Sequence, residues 1–454
     1  MTSHDTTPGV TTTEARPHDE GLRRELGRWD LTAVGVNQVI GGGIFALAAG
    51  LAANTGSWAP WLVAAVAFAS LLIALSFAEV GSRFDGTGGP YLYTRAAFGR
   101  FAAFEVGWMM WFTRAASWAS VINVLVDALG RYWPLLLGSV ARPLLLAGII
   151  GLIAWINIRG IRQSSLVVNV LTVAKVLPLV VFVLVGIAYV DWGSFSAPAT
   201  MTVQQLSTGA LILIFAFGGY EVVPVLGGET KDPRRAIPFA LIMTIVVVAI
   251  ITLLTQVVAF GTLPTIAQSK TPLADSAAMF MGAAGAVMIT IGAVLSTSGN
   301  NMGQALSGSR NLFALAEQGD LPRWFGQVHR RFRTPSNAIL VTAVVSFGLA
   351  VTGSFVTMAA ASAISRLVVY VMTCAALLRL RVLFTGPEPQ VSRGIVVNPP
   401  AFVVPGGPVI PVLAIVIAAA IILGATQIQL ISGTGALVAG AVLYLIAVRG
   451  GQRQ

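Results

Sequence analysis

Stretches of apolar residues long enough to cross a bilayer as helices recur along nearly the whole chain. They fall at 30–53, 58–82, 93–125, 141–158, 165–190, 204–226, 236–262, 277–306, 335–353, 355–380, 403–425 and 430–448. Lipid offers the backbone no hydrogen-bond partners, so segments of this kind must bond internally as helices. Only 10% of the residues are charged, against about 25% in soluble domains. The spacing predicts an all-α integral membrane protein of twelve transmembrane helices. The division between 335–353 and 355–380 rests on one turn signal, Gly353-Ser354. The third window is long enough to be tilted.

The basic residues set an orientation. With the N-terminus inside, segments 1–29, 83–100, 159–164, 227–235, 307–334, 379–402 and 449–454 hold 22 of the 28 Lys and Arg. Arg131, Arg142 and Lys270 fall outside, and Arg114, Lys175 and Arg366 fall within spans. This positive-inside bias predicts a plasma-membrane protein with both termini cytoplasmic. It also explains the formal charge of +10 without a nucleic-acid partner. Residues 1–29 are polar, lack the apolar core of a signal peptide, and read as a disordered cytoplasmic tail. In the loop 307–334, Leu312, Phe313, Leu315 and Ala316 share a helical face and Gly319 and Pro322 follow. That pattern predicts a short amphipathic helix along the inner surface.

Two apolar windows are faulted in the middle. Gly41, Gly42 and Gly43 are consecutive about 11 residues from the charged end of the first window, a depth of roughly 16 Å. Glycine costs a helix about 1 kcal/mol against alanine. Unwound backbone persists in a membrane only where it is buried in protein or lines a cavity. In the sixth window Gly218 and Gly219 again fall near mid-span, followed by Pro224. Glycine-interrupted helices in matching positions of two halves point to an inverted repeat with a site between them. The halves would be 30–190 and 204–380, each of five helices, with 403–448 appended. Freed N–H groups there can hold an anionic group and freed carbonyls a cation.

The motifs match a known family in order. Ile40-Gly41-Gly42-Gly43-Ile44-Phe45 resembles the first-helix motif of the amino acid–polyamine–organocation (APC) superfamily. Phe84 to Tyr91, FDGTGGPY, resembles its loop after helix 2. FAFGGYE, Phe215 to Glu221, and GETKDPRRAIP, Gly228 to Pro238, resemble its sixth helix and the loop that follows. SRNLFALAEQGDLP, Ser309 to Pro322, resembles the loop after helix 8, and Thr334-Pro335 the start of helix 9. The resemblance implies a LeuT-type fold of five plus five helices, with helices 1 and 6 discontinuous, and amino acid transport. It implies that amides around Gly41, Gly42 and Gly43 hold the substrate carboxylate. Carbonyls near Ile40 and from Phe217 through Gly218 to Gly219 would hold its ammonium. Phe217, Tyr220 and Trp108 are aromatic candidates for the side-chain pocket, with lipid or core packing as the alternative for each.

The resemblance also places helices 1, 5 and 8 around a cation site. Lys175 lies about 10 residues into helix 5, roughly 15 Å deep. It matches a lysine that some proton-coupled or sodium-independent members carry there. Ser296, Thr297 and Ser298 in helix 8, and Asn37 and Gln38 in helix 1, lie at similar depth. Lys175 is read as a stand-in for sodium, a proton-releasing coupling group, or a structural strut.

Arg114 has two readings: contact with an acidic substrate group, or pairing with Glu221 or Glu105 and capping of broken-helix carbonyls, of which the second is favoured. Glu79, Glu105, Glu221 and Arg366 are read as structural, Arg366 without a placement. The one cysteine, Cys374, reads as inert core. The three histidines, His4, His18 and His329, lie in the tail and a basic loop. No metal and no other cofactor is expected. Without a P-loop or a paired base and nucleophile, ATP drive and enzymatic activity are disfavoured.

The expected function is proton-coupled symport of a neutral amino acid by alternating access, in a lipid bilayer. Glu221 is the one acidic residue near Phe217, which argues against a cationic substrate. Amino acid or amine exchange and a non-transporting amino acid sensor are the alternatives.

Overall fold

A computed structural model describes residues 24, 26–86, 88–159, 165–195, 200–332 and 334–451. The first window divides into α1 (Arg28–Val39) and α2 (Gly43–Thr55), followed by α3 (Ala59–Gly81), α4 (Pro90–Phe98) and α5 (Arg100–Gly130). Next come α6 (Ala141–Arg159), α7 (Ser165–Gly186) and α8 (Val203–Phe217), which a 3-10 helix over Tyr220–Glu229 continues. Then follow α9 (Pro233–Thr262), α10 (Pro272–Glu317), α11 (Ser336–Thr352) and α12 (Phe355–Leu383). A hairpin of β1 (Gln390–Ser392) and β2 (Ile395–Val397) precedes α13 (Val409–Leu423) and α14 (Gln427–Gly451). Each apolar window falls on a helix or on a broken pair.

Among the described residues, eight helical stretches are long and apolar enough to cross a membrane, while Ser336–Thr352 and Val409–Leu423 are apolar but shorter. Large apolar side chains are exposed on the outer faces of α6, α7, α11 and α14, among them Leu144, Leu184, Val344 and Ile428. Such a surface suits lipid and not water.

Local chemistry sets several boundaries. Proline opens α4, α9 and α10, where its missing N–H costs nothing. The turn signal between α11 and α12 holds: Gly353 ends one helix, and the Ser354 hydroxyl accepts from the Thr357 N–H to start the next. Of the expected tail 1–29, residues 1–23 and 25 lie outside the described residues, Leu26 bridges to Thr230, and Arg28 and Trp29 already belong to α1.

Three expectations are corrected. The long third window is two helices, because the chain turns at Gly99 with φ of 100°. The fold is not purely helical, since β1 and β2 pair antiparallel around Arg393 and Gly394, both at positive φ, the turn a tight hairpin favours. The segment after helix 8 is no separate surface helix. It is the last part of α10, a helix of 46 residues kinked at Gly282. Leu312, Leu315 and Ala316 are buried with Phe104, Trp108 and Trp111 of α5, so the amphipathic face covers a neighbour. Gly319, at φ of 74°, follows the end as expected.

The largest core cluster joins α1, α2, α3, α8 and α9. Around it α5 runs along α10 and α12, α1 lies against α7, and α8 lies against α12. These last two contacts position the site.

Candidate functional site

The two breaks touch. Gly219 sits at φ of 134°, and a Cβ on it would stand 2.7 Å from the carbonyl carbon and oxygen of Gln38. Only a residue without a side chain lets the two backbones approach so closely. Gly42 is equally confined on its other side, where a Cβ would meet Thr297 Cγ2 at 2.6 Å and Val121 Cγ1 at 3.0 Å.

Each broken helix ends in carbonyls that need donors. At the end of α1, Lys175 Nζ donates to Asn37 O at 2.8 Å and Ile40 O at 2.9 Å. Ser296 Oγ donates to Ile40 O at 3.2 Å and Asn300 Nδ2 to Gln38 O at 3.1 Å. Lys175 is 1% exposed, and its ammonium does what a bound cation would do at a helix C-terminus. At the end of α8, Arg366 Nη1 donates to Phe215 O at 3.1 Å and Ile214 O at 3.5 Å. A Cβ on Gly218 would fall onto this guanidinium.

A buried polar chain connects the two ends. Gln304 Nε2 donates to Asn300 Oδ1 at 3.3 Å, and Arg114 Nη1 donates to Gln304 Oε1 at 3.3 Å. Arg114 Nη2 and Arg366 Nε lie 3.2 Å and 3.1 Å from the same Glu221 oxygen. The other Glu221 oxygen accepts from Gly219 N at 2.8 Å and the Tyr370 hydroxyl at 3.2 Å. Both arginines and Glu221 are buried. Such a set persists only when each charge is paired and hydrogen-bonded.

Between the breaks lies a narrow space, walled by Gly41 and Gly43 on one side, Gly218 and Arg366 on the other, and Asn300 and Gln304 from α10. It leaves about 10 Å³ for the centre of a water molecule, room for about one water. Gly43 both lines this space and opens α2, and the N–H groups of a helix's first turn have no acceptor within the same helix.

The expected residues are brought together in part. Ile40, Gly41, Gly42 and Gly43 form the first break, and Gly218 and Gly219 the second. Lys175 and Ser296 meet at the α1 end. Thr297 sits against Gly42 and bonds back to Ala293 O within its own helix, and Ser298 is half-buried. Phe217 does not line the space; Phe215 and Ala216 do, and Phe217 lies in the apolar core. Tyr220 stacks on Tyr370 with ring centroids 5.5 Å apart and meets Phe77 edge-on. Trp108 is not brought to the breaks: its indole donates to Ala436 O of α14 at 2.7 Å. Arg114 pairs with Glu221 and not with Glu105, which lies beside Gly440.

Sequence reasoning missed Asn300, Gln304 and the role of Arg366. A signal for two of them was present. Ser296, Asn300 and Gln304 recur every four residues, which puts them on one face of the helix.

Comparison with known proteins agrees with this architecture. The family model described as "Amino acid permease" matches residues 26–448, and the chain belongs to that family. It is 28% identical to the branched-chain amino acid permease BcaP of Bacillus subtilis (strain 168), over 95% of this chain and 94% of that protein. It is 29% identical to the methylthioribose transporter of the same organism, covering 75% and 77%. The serine/threonine exchanger SteT, also from that organism, is 29% identical over 71% and 75%. The motifs thus implied the right superfamily, and the chain is a multi-pass membrane protein of a transporter family.

Proposed function

We propose that this member of the amino acid permease family is a secondary active transporter that carries an amino acid across the plasma membrane by alternating access. In this reading twelve helices cross the bilayer, with both termini cytoplasmic. Residues 30–190 and 204–380 form two inverted repeats, and 403–448 add two helices. The substrate carboxylate docks on the amides around Gly41, Gly42 and Gly43, and Ile40, Gly218 and Gly219 complete the floor. The observation that carries the proposal is the contact of two broken helix ends, each capped by a buried cation.

Coupling is assigned to Lys175, with Ser296 and Thr297 holding the neighbouring face of α10. Its ammonium bridges two carbonyls of the α1 end. Loss of that proton removes a charge-assisted bond from each carbonyl and loosens the first break. A proton taken up from outside and released inside would thereby drive the cycle as symport. A cationic substrate is disfavoured, because Glu221 already serves two arginines.

The test is uptake by proteoliposomes holding the full chain, with an inward proton gradient imposed. Gradient-driven accumulation that disappears in Lys175→Ala is expected; unaltered accumulation in that variant removes Lys175 from the coupling step. The relative named as an exchanger favours a second reading, amino acid exchange. Uptake that needs amino acid inside the vesicle and ignores the proton gradient would select it.

A further inference from the structure

Several acceptors at each break are already occupied by the protein's own donors. Lys175, Ser296 and Asn300 take the carbonyls of Asn37, Gln38 and Ile40. Arg366 takes those of Ile214 and Phe215. A substrate ammonium arriving at the second break would sit beside that guanidinium, and like charges in a low-dielectric site repel strongly. Gln38 Oε1 is one buried acceptor left without a partner beside the same space, and its amide can turn to present N–H groups instead. Donors are present as well: Gly43, which opens α2 and lines the space, and the guanidinium at Gly218.

The charges lean the same way. Arg114 and Arg366 contribute two guanidiniums, and Glu221 is the carboxylate they share. The cluster therefore carries one excess positive charge, which the carbonyl end of α8 offsets by about half. The nearest other acids lie outside the cluster. Glu79 pairs with Arg381 and Arg83. Glu105 lies against α14 at Gly440, nine residues before Arg114 and roughly 13 Å away along α5. Lys175 is left out of this sum because an amine can give up its proton. An uncompensated charge in a dry site calls for a counter-ion.

We infer that the substrate of this site is a small carboxylate of net negative charge, and that Arg366, supported by Arg114 through Glu221, determines that specificity. The inference rests on the transporter reading above and departs from the neutral amino acid expected from sequence. Two molecules share the required chemistry. One is an amino acid with a second, acidic group that faces Arg366. The other is a carboxylic acid without the amine, whose single charge balances the cluster.

The experiment uses the full chain, purified for thermal-shift titration and reconstituted for uptake, with L-glutamate, pyruvate, L-leucine, L-serine and L-lysine as probes. Glutamate or pyruvate is expected to half-saturate at a concentration at least about tenfold below leucine and serine, with no response to lysine. Glutamate ahead of pyruvate identifies a dicarboxylic amino acid, and the reverse order identifies an acid without the amine. Arg366→Gln should cut the anion preference at least about tenfold, whereas Arg366→Lys keeps its direction. Any uncharged or cationic probe equal to or ahead of both anions overturns the inference and leaves the transporter reading standing. A preference unchanged in Arg366→Gln also overturns it. No shift and no flux with any of the five overturns both. The ranking on the unaltered chain decides the matter even if Arg366→Gln fails to fold.

Discussion

The two interrupted helices solve one problem with different chemistry. At α1 the exposed carbonyls are held by a primary amine from α7, helped by Ser296 and Asn300 of α10. At α8 they are held by a guanidinium from α12, itself tied to Glu221. An amine can release its proton inside a protein; a guanidinium cannot. In the proposed cycle the first break is the one that loosens and the second keeps its cap, although the polar chain through Gln304 and Arg114 joins them.

The largest expected effect tests the first break as a binding floor. Gly42→Val should reduce uptake at least about a hundredfold while the protein still reaches the membrane, because a Cβ there meets Thr297 and Val121. Normal uptake in that variant would mean the substrate passes elsewhere. Next comes the permanence of the second break. Glu221→Ala leaves two buried guanidiniums facing each other and should cost about 3–5 kcal/mol, read as a fall in the thermal midpoint in detergent. A midpoint within a degree or two of the parent would show that the cluster is hydrated and not dry.

Lys175→Ala separates the two ends most cleanly. Uptake should lose its dependence on the proton gradient while exchange of substrate across the membrane persists. Arg366→Lys should leave the gradient dependence in place. If both variants respond alike, the contrast between a releasable and a fixed cap is wrong. The smallest effect belongs to Asn300→Ala, which removes one donor from Gln38 O. A loss of about 0.5–1.5 kcal/mol, or a few-fold in apparent affinity, is expected without a change in gradient dependence.

The first break was the more legible in sequence. Three adjacent glycines announced it, and counting residues along helix 5 placed Lys175 at its depth. The second announced itself through Gly218 and Gly219, but its cap did not. Arg366 meets Phe215 O from 151 positions away, and which way α12 turns about its axis is not written in an apolar run. The same uncertainty of rotation explains why Phe217 was expected where Phe215 stands. Trp108 failed for another reason: its partner lies on α14, beyond residues 30–380, where no motif foretold the docking. The stretch after helix 8 showed its apolar face plainly, yet a neighbouring helix and a membrane surface present the same pattern. Only the burial of Leu312 and Leu315 on α5 distinguishes them.

That burial makes a beam of α5 and α10. One edge of the beam carries Arg114, Asn300 and Gln304, and its far end is fastened where Arg100 meets Asp320 at 2.6 Å. Spectroscopic labels placed on the exposed sides of these two helices should keep a constant separation through the transport cycle. They would give a fixed ruler against which the travel of α1 and α8 can be measured.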